Sequence, residues 1–263
     1  MNQKFSSKLF EKNFFSKALG FITHEKGKNL RHYIMRIFSS LSKYKECRDY
    51  IIEEKLLKKM ISVLYQNDDQ IQIAIFLSIF HILINIEELH EYFFEENGST
   101  LIIYFLDKTN KEQNYIGMKL LVFLSRYKSY LQKMGIEPLS HAIIRLAQKK
   151  DYRCIREAIR FYLNICICNT KVSKKIISNL CQLILNGIES QAEENVEICL
   201  FGLQYISQNF SHHEIIIAQK EIDKSILLLD INILKKLNGY LVLYIFNMIC
   251  NNDSQKHIVD IKY

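Results

Sequence analysis

Ala158-Ile-Arg160-Phe-Tyr162-Leu-Asn164-Ile165 and Leu241-Val-Leu243-Tyr-Ile245-Phe-Asn247-Met248 are two copies of one eight-residue pattern. Four more copies precede or separate them: Ile34-Met-Arg-Ile-Phe38-Ser-Ser40-Leu41, Ile79-Phe-His81-Ile-Leu83-Ile-Asn85-Ile86, Gly117-Met-Lys119-Leu-Leu121-Val-Phe123-Leu124 and Cys199-Leu-Phe201-Gly-Leu203-Gln-Tyr205-Ile206. An apolar residue closes each copy, at 41, 86, 124, 165, 206 and 248, so successive gaps are 45, 38, 41, 41 and 42 residues. The residue three before the close is always Phe, Leu, Tyr or Ile, and three opening residues are small (Gly117, Ala158, Cys199). Apolar residues three, four and seven apart form one helical stripe, and a small residue lets a neighbouring helix approach. Six cycles at one spacing predict stacked helical repeats in place of a single globular core.

Composition agrees. One proline (Pro138) and eight glycines in 263 residues leave little room for linkers. The long periodic segments between breakers then predict an all-α chain. Isoleucine favours strands by propensity, but period and segment length outweigh that preference. No run of eighteen uncharged apolar residues exists, so no transmembrane helix is expected. Seven cysteines without framework spacing, and an N-terminus lacking the apolar core of a signal peptide, point to reduced thiols in the cytoplasm or nucleus. Residues 4–22 are basic and amphipathic, as in an organelle presequence. Glu11 and the lack of arginine weaken that reading, and a helical N-terminal cap over residues 1–28 is expected.

Set in register, the chain resembles the armadillo repeat family, whose units of about forty-two residues hold a short first helix, a second helix and a long third helix. Three features carry the resemblance. Asn85, Asn164 and Asn247 stand immediately before the closing residue of repeats two, four and six. Gly135-Ile-Glu-Pro138-Leu looks like the junction between first and second helices, with Gly98-Ser-Thr-Leu101 a weaker copy. Gln66-Asn-Asp-Asp69 and Asp107-Lys-Thr-Asn110 match the loop before the third helix. HEAT-type repeats, with helices at similar spacing, are the near neighbour. The resemblance covers residues 29–258, leaves 259–263 as a tail, and implies a right-handed α-solenoid of about six repeats.

It also implies a site. In armadillo proteins the third helices line a concave groove, where the motif asparagine bonds the backbone of an extended peptide. Asn85, Asn164 and Asn247 inherit that role by position; Ser40, Phe123 and Tyr205 take the place in the other repeats. Importin-α-like members carry a tryptophan four residues earlier. This chain has none, which argues against a basic nuclear-localisation peptide. At that place stand Arg36, His81, Lys119, Arg160, Phe201 and Leu243, and one turn further back His32 and Arg156 join them. A basic stripe over four repeats suits an acidic or phosphorylated segment.

Other chemistry is less supported. Cys166, Cys168 and Cys181 lack a zinc-finger partner spacing, and residues two apart on a helix diverge. Ser211-His-His-Glu214 reads as a capping box, and Glu87-Glu88-Leu-His90-Glu91 as a charged turn on an exposed helix. No phosphate loop, nucleophile elbow or paired-carboxylate motif is present, so no enzyme, metal or cofactor is expected. The expected function is a protein-interaction scaffold or adaptor. The alternative is an RNA-binding repeat protein, favoured by a net charge of +7, a pI near 8.9 and 31 Phe and Tyr residues. Against it, Phe38, Phe80, Tyr162 and Phe246 fall at core-spaced positions.

Overall fold

The computed structural model describes residues 12–23, 30–66, 68–169, 172–209, 212–219 and 221–250. Their regular structure is all helical, with no strand among them. The third helices of the six repeats are α2 (Arg31–Leu41), α5 (Asp69–Asn85), α8 (Lys111–Leu124), α11 (Tyr152–Cys168), α13 (Glu193–Ser207) and α16 (Ile231–Cys250). Second helices are α1 (Lys12–Thr23), α4 (Leu56–Leu64), α7 (Gly98–Asp107), α10 (Ile136–Ala147), α12 (Lys174–Ile188) and α15 (Glu221–Leu227). Short first helices are α3 (Lys45–Glu53), α6 (Leu89–Glu95), α9 (Lys128–Lys133) and α14 (His213–Ala218). Repeat five has no first helix among the described residues: only five residues separate α11 from α12.

Local chemistry sets the boundaries. Asp68 accepts the Ile71 amide (3.0 Å), Asn110 the Glu112 amide (2.9 Å) and Asp151 the Arg153 amide (3.1 Å). Each satisfies an orphan donor at the start of a third helix. Where first helix turns into second, the chain takes left-handed backbone at Lys55, Asn97 and Gly135, with φ of 49°, 64° and 64°. Glycine tolerates that conformation best, which explains Gly135 before Ile136 at the junction expected there.

The chain divides into two compact units, Met1–Leu120 and Leu121–Tyr263, the boundary falling within α8. In the first, Phe15, Ala18 and Ile22 bury the inner face of α1, and Phe15 meets Phe38 at 5.5 Å between ring centroids. Phe76 and Phe105 stack at 3.9 Å. Phe38 is buried as expected, whereas Phe80 is only half-buried. In the second unit Tyr162, Ile159, Ile184 and Leu203 fill the core. The side chain of Phe246, the flanks 1–11 and 24–28 of the expected cap, and the tail 259–263 lie outside what is described.

Close approach decides one position. A Cβ on Gly187 of α12 would lie 2.5 Å from the Cys199 sulfur of α13, the small opening residue of repeat five. Glycine to alanine inside a helix ordinarily stabilises by about 1 kcal/mol. Here Gly187→Ala is expected to destabilise by about 1–3 kcal/mol through overpacking. Adding Cys199→Ala should recover most of the loss, as read from thermal unfolding of the single and double variants.

Candidate functional site

The three motif asparagines make the same contact. Asn85 Nδ2 donates to Ser42 Oγ at 2.7 Å, Asn164 Nδ2 to Ser125 Oγ at 2.8 Å, and Asn247 Nδ2 to Ser207 Oγ at 3.1 Å. Asn164 and Asn247 also reach the Val122 and Gln204 carbonyls at 3.3 and 3.2 Å. Each serine is buried and passes its own proton to the carbonyl three residues back, Ser39, Val122 or Gln204, at 2.7–2.9 Å. The serine always follows the closing residue of an odd repeat, and the asparagine precedes the closing residue of the next even one. Repeats one and two, three and four, and five and six are thereby stapled. The half-buried asparagine amides thus reach back into the preceding repeat, and the carbonyl oxygen is the end left to meet a ligand at Asn164. The sequence signal was available: Ser42, Ser125 and Ser207 occur in the repeats that lack the asparagine.

The two intervening junctions use other polar pairs. Buried Gln113 of α8 donates to Gln72 of α5 at 3.1 Å and to Asp69 at 3.3 Å. Between α11 and α13 the link is an ion pair from Arg156 to Glu194.

In the first unit, Arg36 and Ser40 of α2 face Gln70, Ile73, Ala74, Leu77 and His81 of α5 across a groove of about 380 Å³. Arg36 and His81 are exposed. Neither the groove lining nor any ion pair described here brings a carboxylate to Arg36. Lys119, also exposed, lies over the Tyr115 ring at 5.7 Å from its centroid. The structure thus brings Arg36, Ser40, Leu77 and His81 to one place.

The second unit treats its arginines differently. Arg160 pairs with Glu157 at 2.7 Å, and Glu157 is only 4% exposed. Arg156 lies 4.0 Å from the same carboxylate besides bonding Glu194. Arg153 pairs with Asp151, and Lys236 of α16 with Glu193 at 2.7 Å. The basic stripe of the fourth repeat is neutralised within the protein. Pattern reading missed this because Glu157 occupies the buried side of α11 and Glu194 comes from the next repeat.

Two histidine readings change. His90 is not on an exposed turn; it is 1% exposed, and its Nε2 donates to the Leu83 carbonyl at 2.6 Å. His213 does the same for Ser207 at 2.6 Å. Both sit on first helices and satisfy carbonyls at the end of the preceding third helix. Ser211 lies outside the described residues, and α14 opens at His212 without a side-chain cap. Cys47, Cys154, Cys166 and Cys181 are pushed up to about 12 by burial, so their thiols stay protonated. Among the described residues no His, Cys, Asp or Glu group could hold a metal, and no helix is long and apolar enough to cross a membrane.

No protein-family model and no curated protein matches the chain by sequence. Solved structures do. A designed armadillo repeat protein in complex with the peptide (KR)4 superposes with a TM-score of 0.67 at 14% identity, over 87% of this chain and 98% of its own. A computationally designed armadillo repeat protein for modular peptide recognition gives 0.68 at 14%, again over 87% and 98%. The fold is that of armadillo repeats. Within that armadillo-like solenoid, the motif asparagines here are tied to serines of the preceding repeat.

A buried hydroxyl–amide bond of this kind is worth about 1 kcal/mol, and more is lost when one partner is left alone. A double-mutant cycle over Ser125→Ala and Asn164→Ala is expected to show coupling of about 0.5–1.5 kcal/mol in denaturant unfolding. Pairing Ser125→Ala with Asn85→Ala should give additive losses.

Proposed function

We propose that the protein is a non-enzymatic interaction scaffold that holds an extended, acidic or phosphorylated peptide segment against its third-helix faces. The first unit takes the anionic side chain. The observation that carries this reading is the groove between α2 and α5, where Arg36, His81, Ser40 and Gln70 stand over Ile73, Ala74 and Leu77 with no carboxylate in the lining. Guanidinium and hydroxyl donors above an apolar floor suit an aspartate, glutamate or phosphoresidue flanked by apolar side chains. Lys119 adds a second cation on the same unit. The designed armadillo neighbours, one with a (KR)4 peptide and one made for modular peptide recognition, support peptide binding as the use of the fold. The charge on this chain's first unit selects the opposite sign of ligand. Asn85, Asn164 and Asn247 contribute by fixing the repeats, and Asn164 offers its amide oxygen to the peptide backbone. In this reading residues 1–28 cap the array of 29–258, and the free thiols of six of the seven cysteines, those among the described residues, fit an adaptor working in the reducing cytoplasm.

The test uses a fluorescent peptide alternating aspartate and leucine, and its phosphoserine counterpart. Arg36→Glu is expected to weaken binding about ten- to hundredfold, the range for losing a charge-assisted contact, with helicity unchanged. Unchanged affinity in an intact fold would remove the groove from consideration. Arg156→Glu with Arg160→Glu is the contrasting variant. It leaves the buried Glu157 unpaired, so an unfolding loss of about 3–5 kcal/mol is expected. Binding of homopolymeric RNA that collapses steeply with salt, and ignores Arg36, would favour the nucleic-acid alternative.

A further inference from the structure

Each junction inside the array buries one stripe from the repeat before it and one from the repeat after. The third-helix residues four and eleven before the closing position meet the preceding repeat. They are buried in repeats two to six, as Ile82, Leu120, Phe161, Gly202 and Tyr244 and as Ile75, Gln113, Cys154, Asn195 and Leu237. In repeat one those places fall to Ile37 and Leu30, and both are exposed. Tyr33, one turn before Ile37, is 56% exposed.

The residues three and six before the close behave in the opposite sense. Phe38, Leu83, Leu121, Tyr162 and Leu203 are buried, as are Met35, Met118, Ile159 and Leu200, with Phe80 half-buried. In repeat six those places fall to Ile245 and Val242, and both are exposed, Val242 at 62%. Each stripe is thus laid open at one end of the described array only. Most exposed large apolar side chains among the described residues belong to repeats one and six. The outermost repeats of a solenoid ordinarily turn a polar face outward; here both outward faces are apolar, which marks them as contact surfaces.

The two faces are the two halves of the contact that joins consecutive repeats. Repeat six is even and repeat one odd, and even-to-odd junctions carry no serine–asparagine staple, so neither end face holds an unmatched staple partner. Where repeats two and three meet, the polar link is Gln72 with Gln113, fourteen and eleven residues before their closing positions. Leu234 and Leu30 hold those places in repeats six and one. Gly239 stands where Arg156 reaches Glu194 in repeat four, and an added Cβ there would meet nothing within 4 Å.

We propose that the open face of repeat six binds the open face of repeat one in a second copy of this chain, so that copies stack head to tail as repeats do within one chain. The occupant of each face is the opposite face of another copy, with Val242 and Ile245 on one side and Leu30, Tyr33 and Ile37 on the other. Such a contact is heterologous, so every open string of copies keeps one free face of each kind and can grow. It uses neither the Arg36 guanidinium nor the motif asparagines, and it stands whether or not a peptide binds.

Sedimentation velocity of the full chain over a concentration series reads the assembly. The average mass is expected to rise with concentration. Val242→Glu with Ile245→Glu blocks one face, and Tyr33→Glu with Ile37→Glu blocks the other. All four side chains are already exposed, so helicity and the unfolding midpoint should hold. Each double variant alone should associate about a hundredfold more weakly. Mixed together, the two variants should form a one-to-one complex that grows no further, because each supplies the face the other lacks. Gly239→Arg is the second blocking variant: it places a side chain in open space and favours the helix, so its loss of assembly cannot come from a folding defect. A chain that stays monomeric at millimolar concentration overturns the proposal. So does growth in either blocked variant, or a mixture in which the two variants ignore each other.

Discussion

Helices of six to twenty residues make up most of the described residues, and few of them are long enough to persist alone in water. Each exists because the apolar stripe on its third-helix neighbour covers its own. Phe38, Leu83, Leu121, Tyr162 and Leu203, three before the closing position of the first five repeats, are all buried, whereas Ile245 of the sixth is 44% exposed. Everything polar in the interior is arranged around that mutual covering. Several buried hydroxyls, amides and imidazoles are met by a partner in a neighbouring helix or repeat, as at Ser42, Gln113 and His90.

The stacking was legible because it is written in period. Apolar residues at fixed spacing, polar loop residues such as Asp68 and Asn110, and Gly135 at a left-handed turn each act over a few residues, which is the range a pattern can report. The staples act over about forty residues, from Asn85 to Ser42 or Asn247 to Ser207. They become visible only when an odd and an even repeat are set side by side. His90 was misread for a related reason: its charged neighbours Glu87, Glu88 and Glu91 describe the outer face of a short helix whose inner face it occupies.

Charge was the least legible property. Position along the third helix placed Arg36, Lys119, Arg156 and Arg160 on one stripe, and each is at least partly exposed. What a stripe cannot show is which charges are already matched. Arg160 is neutralised from below by Glu157 and Arg156 from the following repeat by Glu194, whereas Arg36 faces only neutral side chains and His81 across its groove. Two units of the same architecture therefore present different electrostatic faces.

The serine–asparagine pairs have a consequence for how the array can change length. Ser42, Ser125 and Ser207 recur every 83 and 82 residues, twice the repeat. Excising an odd repeat would set an asparagine against Glu87 or Cys166 where its hydroxyl partner belongs, and excising an even one would set a buried serine against Phe123 or Tyr205. Excising two adjoining repeats would bring like ends together and keep every pair matched. The unit in which this solenoid can be shortened, lengthened or shuffled without loss is the double repeat.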